Sequence, residues 1–159
     1  MKNTRYFPMF VDLYDKNIIV VGGGKIATRR IRTLLQFTRN ILVIAPEMTP
    51  ELIELCNAGF VKYKHRKVKR SDLTDAYIVV AATNDRKIND DIYHICKEEG
   101  IYVNVISDKE KCDFYFPGIV MQEELVIGIT ASGLDHRKAK HLCEKISDVV
   151  SEVSKEWDD

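Results

Sequence analysis

Two hydrophobic periodicities alternate along the first two thirds of the chain. Runs of near-continuous Val and Ile, such as Ile41-Leu-Val-Ile44 and Tyr77-Ile-Val-Val80, read as strands buried on both faces, and stretches with one apolar helical face separate them. The spacing predicts strands over 17–22, 40–45, 60–64, 76–82 and 101–106, and helices over 25–37, 49–58 and 86–99. Strands that alternate with helices in this way build a parallel α/β sheet with helices on both faces. After Asp113 the pattern changes to β runs at 114–121 and 124–131, joined through Gln122-Glu-Glu124 as an antiparallel hairpin. A last helix, capped by Asp135, runs to about Ser154, and the acidic tail Glu156-Trp-Asp-Asp159 is expected to fray. The change of pattern divides the chain into residues 1–113 and 114–159.

Composition narrows this picture modestly. A chain of 159 residues with 45% hydrophobic side chains fills one real core. The 24 basic and 24 acidic side chains cancel, so no global field recruits nucleic acid or membrane, and any electrostatic recognition is local. No apolar run reaches the ~20 residues of a membrane-spanning helix, and Met1 to Phe10 lacks the apolar core of a signal peptide. Cys56, Cys96, Cys112 and Cys143 lie far apart, without C-x-x-C or metal-ligand spacing, which reads as free thiols of a cytoplasmic protein. His65, His94, His136 and His141 share no spacing and read as surface residues, although His136 opens the last helix.

The candidate chemistry concentrates where the first strand empties into Gly22-Gly-Gly-Lys-Ile-Ala27. Gly22, Gly24 and Ala27 fit the G-x-G-x-x-G/A fingerprint of a Rossmann-like dinucleotide site. The first glycine allows the tight turn, the second lets backbone approach a pyrophosphate, and the third small residue lets helix and strand pack. Lys25 and Ile26 complete the turn, and first-turn N–H groups with the helix dipole supply positive charge. The second strand ends at Pro46-Glu47. Glu47 either reaches the adenosine ribose, which favours NAD over NADP because a carboxylate repels a 2′-phosphate, or simply begins the next helix. Arg29 and Arg30, one turn into the first helix, read as facing solvent or a neighbouring subunit. Thr83 and Asn84 end the fourth strand as candidate cofactor contacts, with Asn84 or Asp85 capping the helix that follows. The basic run Lys62, Lys64, Arg66, Lys67, Lys69 and Arg70 reads either as a solvated edge strand or as a local site for anionic groups.

Several blocks occur in an order that carries a resemblance. Tyr6-Phe-Pro-Met-Phe-Val-Asp-Leu13, Val21-Gly-Gly-Gly-Lys-Ile-Ala-Thr-Arg-Arg30, Ala81-Ala-Thr-Asn-Asp85 with Ile88-Asn89, Val103-Asn-Val105, Cys112-Asp-Phe-Tyr-Phe-Pro117 and Leu125 to Leu134 cover almost the whole chain. In this order they resemble the NAD-dependent precorrin-2 dehydrogenases and sirohydrochlorin ferrochelatases of siroheme biosynthesis. The resemblance implies NAD as cofactor, a tetrapyrrole substrate that loses a hydride and a proton, ferrous iron as a second substrate in bifunctional members, and a homodimer built on the hairpin and last helix. It also implies a carboxylate general base after the Asn-Val strand. Counted from Asn104, the usual acid position holds Ser107, which leaves Asp108, one place on, and Asp113 as the candidate catalytic acids.

Two departures bear on the substrate side. Relatives often read Gly-x-Ser-Pro where this chain has Gly133-Leu-Asp-His136, and they carry further helices that help enclose the tetrapyrrole, so a more open site is expected here. A reading of another class, a non-catalytic NAD-sensing or tetrapyrrole-binding module, shares the glycine turn and differs in lacking turnover.

Overall fold

The computed structural model describes residues 6–132 and 135–156. The Gly133-Leu134 part of the matched block, the side chain of His136 and the end of the acidic tail lie outside the described residues. Five strands, β1 (Ile18–Val21), β2 (Ile41–Ile44), β3 (Lys62–Lys64), β4 (Ile78–Ala81) and β5 (Tyr102–Val105), form one parallel sheet in the order β3-β2-β1-β4-β5. Helices α1 (Lys25–Leu34), α2 (Pro50–Asn57) and α3 (Arg86–Glu99) supply crossovers. The expected α/β class and alternation are present, with strand ends trimmed by a residue or two except at Lys64, where β3 ends as expected.

Alternation along the strands divides the buried residues between two faces. Ile19, Val21, Ile44, Val79, Ala81, Val103 and Val105 share a core with Leu73 and with Ile92 and Cys96 of α3. The intervening positions Ile18, Val20, Val43 and Val80 are equally buried and point to the opposite face. The general right-handedness of parallel crossovers puts α1 and α2 on that face, and Ala27, Ile31, Leu34, Leu52 and Cys56 of these helices are buried. Helix α1 stops at Leu34 rather than Phe37, because Phe37 and Thr38 both turn their N–H groups back to the Leu34 carbonyl, at 2.9 and 3.0 Å, and tighten the chain toward β2.

The chain forms two compact units: Val11–Phe114, which holds the parallel sheet, and a second unit built from the segment ahead of it with the stretch from Tyr115 onward. In the second unit β6 (Gly118–Gln122) and β7 (Leu125–Ile129) pair antiparallel, and α4 (His136–Val153) is capped by the Asp135 carboxylate, which accepts from Arg137 and Lys138 N–H. The hairpin is shorter than the expected runs at its open end, while at the tip β6 reaches one residue further, to Gln122, and β7 begins one residue later, at Leu125. Pro117 has no N–H to give a ladder, and Phe114 is held beside β5, its carbonyl accepting from Asn104 Nδ2 at 2.8 Å. Glu123 takes φ 51° in the turn, so the tip is the two residues Glu123-Glu124.

An ion cluster anchors the crossover from β3 to β4. The Asp72 side chain, 3% exposed, accepts two bonds from the Arg66 guanidinium, one from Lys64 Nζ and one from Lys69 N–H, all at 2.7 to 2.8 Å. Arg66 above all, then Lys64 and the Lys69 N–H, hold the Asp72 carboxyl well below the usual carboxylate range against the opposing effect of burial. A carboxylate depressed in the folded state stabilises fully above its unfolded value of about 4 and loses that contribution as pH falls through the folded value. Asp72→Asn is expected to cost about 2 kcal/mol at neutral pH. Urea unfolding should show the gap to wild type narrowing as pH drops below about 4.

Candidate functional site

The order of the sheet places its topological switch point between β1 and β4, and ligands of such sheets bind beyond the carboxyl ends of the strands there. The chain turns at that point through Gly22, at φ 115°, where an added Cβ would sit 2.3 Å from the Ala82 carbonyl oxygen. Only glycine meets both conditions. Gly22 N–H donates to the Ile44 carbonyl at 3.0 Å, and Ala82 N–H donates to the Val21 carbonyl at 2.8 Å, so the turn is fastened to both neighbouring strands.

Gly23, which the fingerprint spacing passes over, is as confined as Gly22. A Cβ there would lie 2.2 Å from the Glu47 carbonyl oxygen, while the Gly23 carbonyl accepts from Thr49 N–H at 2.9 Å. Gly24 differs from both. It is the exposed N-cap of α1, offers no side-chain cap, and has nothing within 4 Å of where a Cβ would stand. The first-turn N–H groups thus open onto free space beside exposed Lys25 and Ile26, with no acid in the turn to repel an anion. Ala27 is fully buried under this turn. Thr28 braces it from behind, its hydroxyl donating to the Gly24 carbonyl at 3.0 Å and lying 2.8 Å from Thr49 Oγ1, which itself caps α2.

Pro46 and Glu47 are exposed in the bend that covers Gly23, which sets Glu47 beside the glycine turn. Past β4, Asn84 is exposed and Asp85 is the cap of α3, accepting from Lys87 and Ile88 N–H at 2.9 and 3.3 Å. Thr83 is committed internally: its hydroxyl donates to Asn89 Oδ1 at 2.7 Å and its N–H points to the same oxygen at 3.2 Å. Asn89, part of the Ile88-Asn89 block, has a structural role of its own. It is fully buried, donates to the Thr83 carbonyl at 3.0 Å and to Ser107 Oγ at 3.3 Å, and so ties the loop after β4 to the loop after β5. Its signal in the sequence is a polar residue on the stripe that Ile92 and Cys96 continue.

The outer edge of β5 is closed by side chains. Val103 N–H donates to Asp113 Oδ2 at 3.0 Å and Val105 N–H to Cys112 Sγ at 3.3 Å, while Asp113 N–H returns a bond to the Val103 carbonyl at 2.9 Å. Asp113 also forms an ion pair with Lys97, so both of its oxygens serve structure. Asp108 caps a short 3-10 turn by accepting from Glu110 N–H at 3.0 Å. Its side chain is 40% exposed, with Lys111 Nζ 3.9 Å away. The two candidate acids therefore stand on one loop in different states, one engaged and one open.

Arg30 departs from the expectation of a solvent-facing residue. It is half-buried, because it stands one turn beyond Ala27 on the flank of the buried stripe. Burial first, then the neighbouring Arg29 charge, push its guanidinium below the ordinary value, opposed by the Cys112 thiol. Burial likewise raises Cys56 and Cys112 and pushes Cys96 up to about 12, so these thiols stay protonated at neutral pH. The basic run carries its own partners: Lys64 and Arg66 bind Asp72, and Arg70 bridges Glu98 and Glu99 at 2.8 Å each. Among the described residues no helix is long and apolar enough to cross a membrane.

Residues 9–118 match the family model described as "Putative NAD(P)-binding". The structure of SirC, precorrin-2 dehydrogenase, superposes with a TM-score of 0.80 at 30% identity, over 90% of this chain and 70% of that one. The chain belongs to the NAD(P)-binding family of this model, together with SirC. The "Probable multifunctional siroheme biosynthesis protein HemA" of Ruminiclostridium josui is 40% identical over 141 residues, 88% of this chain and 27% of that protein. Siroheme synthase of Pseudoalteromonas translucida (strain TAC 125) is 33% identical over 146 residues, 92% of this chain and 31% of that protein. The chain thus spans less than a third of the length of these curated siroheme relatives. For a family described by NAD(P) binding, the glycine turn has a suitable form: a backbone cradle confined from two sides, by the chain after β4 and the bend after β2, and open at Gly24.

Gly23 and Gly24 are expected to respond differently to substitution. Gly23→Ala meets backbone on the 46–48 bend and lowers the midpoint of thermal unfolding. Gly24→Val leaves that midpoint near wild type and weakens NAD binding in a calorimetric titration by at least about tenfold, or ~1.4 kcal/mol.

Proposed function

We propose that the chain oxidises precorrin-2 to sirohydrochlorin with NAD, as a dehydrogenase of siroheme biosynthesis. The observation that carries this reading is the 0.80 TM-score superposition on SirC over 90% of the chain, together with the open glycine turn at the switch point. Bound NAD supplies the hydride acceptor. The chain's own residues do the rest: the first-turn N–H groups of α1 with Gly22, Gly24, Lys25, Ile26 and Ala27 seat the pyrophosphate, and Glu47 beside the turn faces the adenosine ribose with Pro46. A carboxylate in that place selects NAD against NADP. Thr83 contributes backbone shape rather than its hydroxyl, which Asn89 occupies, and Asn84 remains free to reach the cofactor.

Loss of a hydride from the reduced macrocycle leaves a proton to be removed, which is work for a base on the loop after β5. Of the two candidates Asp108 suits it better. Its carboxylate is 40% exposed, with one oxygen on a short cap and the other 3.9 Å from Lys111 Nζ, whereas Asp113 is bound closely to Val103 and Lys97. Ferrochelatase activity, with ferrous iron as substrate, belongs to the same reading as a second reaction of the bifunctional relatives. A homodimer is supported by α4, which has no buried side chain among its described residues and exposes Leu142, Val149 and Val153, and by Met121 and Leu125 on the hairpin. Four free thiols accord with a reducing, cytoplasmic setting.

An absorbance assay with precorrin-2 and NAD, following sirohydrochlorin and NADH together, tests the reaction. Asp108→Ala is expected to lower turnover by about 10²- to 10⁴-fold with NAD affinity unchanged. Loss on Asp113→Ala with Asp108→Ala active would move the base along the loop, and NAD binding by a wild type without turnover would replace the enzyme with a sensor or carrier. Sedimentation should give a dimer at micromolar concentration, and a monomer there would remove the assembly.

A further inference from the structure

Asn89 decides the direction of a neighbouring proton. Its amide orientation is fixed by groups that cannot exchange roles: the Thr83 N–H can only donate, so the atom it meets at 3.2 Å is Oδ1, and the Thr83 carbonyl can only accept, so the atom it meets at 3.0 Å is Nδ2. The second Nδ2 hydrogen then goes to Ser107 Oγ at 3.3 Å. Ser107 is the acceptor in that bond, so its own hydroxyl proton is directed elsewhere. Ser107 is exposed, and among the described residues no acceptor takes that proton.

The place of Ser107 says what meets it. Val105 pairs with Ala81, and Ile106 N–H donates to the Ala81 carbonyl at 3.1 Å, so Ser107 follows directly on the end of β5 beside the end of β4. The glycine turn stands on the far side of β4, since Val21 pairs with Ala81 as well. Two strand spacings, about 10 Å, separate the β1 and β5 strand ends. A dinucleotide whose pyrophosphate rests on the turn after β1, with its adenosine toward Glu47 and β2, extends its other half across the switch point toward β4 and β5. Beyond the ribose oxygens of that half, the acceptor on the nicotinamide ring itself is its carboxamide oxygen.

We propose that the Ser107 hydroxyl, turned outward by the buried Asn89 amide, donates a hydrogen bond to the nicotinamide carboxamide oxygen and so sets the ring at the reactive end of the crevice. This rests on the dinucleotide site assigned above. At this position a serine gives what a carboxylate cannot, because an ionised acid would present only acceptors to that oxygen.

ADP-ribose isolates the contact, since it keeps the adenosine, pyrophosphate and ribose and lacks the nicotinamide. Ser107→Thr and Ser107→Val are nearly equal in shape and differ in the hydroxyl. Calorimetric titration of the full chain should give Ser107→Val a loss of about fivefold in NAD affinity with ADP-ribose affinity unchanged, and Ser107→Thr both affinities of the wild type. Equal NAD affinity in the Val and Thr variants would overturn the contact, as would a parallel loss for NAD and ADP-ribose. A wild type that binds neither ligand would remove the dinucleotide site itself, and a wild type that binds both with an indifferent Ser107→Val removes only this contact.

Discussion

The approach of β4 to the turn after β1 governs this molecule. With the Ala82 carbonyl oxygen 2.3 Å from the place a Gly22 Cβ would occupy, the two loops at the switch point are in backbone contact, and the chain has room there for a hydrogen atom and nothing larger. This contact fixes how far β1 reaches before it turns, and therefore where the first N–H groups of α1 emerge. Gly23 repeats the arrangement against the bend after β2. The cradle is thus positioned from two sides by main chain, the least deformable material available, and only at Gly24 does the confinement stop. A glycine that the protein itself does not require, directly after two that it does, marks the open face of the turn.

A second layer of support comes from side chains that act in place of backbone. Asn89 joins two crevice loops that no ladder connects, and Asp113 and Cys112 take the N–H groups of β5 that a sixth strand would have taken. An edge finished in this way does not template pairing with another chain, and it brings the loop that carries Ser107 and Asp108 back against the strand. The acid of that loop that is most embedded, Asp113, is occupied by this task, and Asp108 is the more exposed of the two.

Much of the fold was legible because local rules and tertiary demands agree in it. Val-rich runs such as Ile18–Val21 can only be central parallel strands, Asp85 and Asp135 cap helices where their side chains predict, and α3 begins and ends where its periodicity does. The fingerprint spacing was visible too, but it ranked Gly24 with Gly22 and passed over Gly23, because spacing alone does not say which glycine is crowded by protein and which faces open space. Asn89, Thr28 and the half-burial of Arg30 were illegible for a related reason: each depends on a partner brought near by the fold. The overextended strand before the hairpin failed on Pro117, whose missing N–H outweighs the aromatic β-formers ahead of it.

The same contact at Gly22 has a bearing on how the chain acquires its shape. Ile18 pairs with Ile78 and Val21 with Ala81, so the central strand meets one of its neighbours only after about sixty residues of intervening chain have been drawn in. The units β1-α1-β2 and β2-α2-β3 can each be joined through short connections, whereas β1 and β4 close the longest loop in the sheet. Until that closure the Ala82 carbonyl is absent from the turn, Gly22 is free to sample other conformations, and the cradle has no floor. Competence to hold a dinucleotide is therefore a late property in the folding sequence, acquired with the pairing of highest contact order rather than with the glycine-rich segment that encodes it.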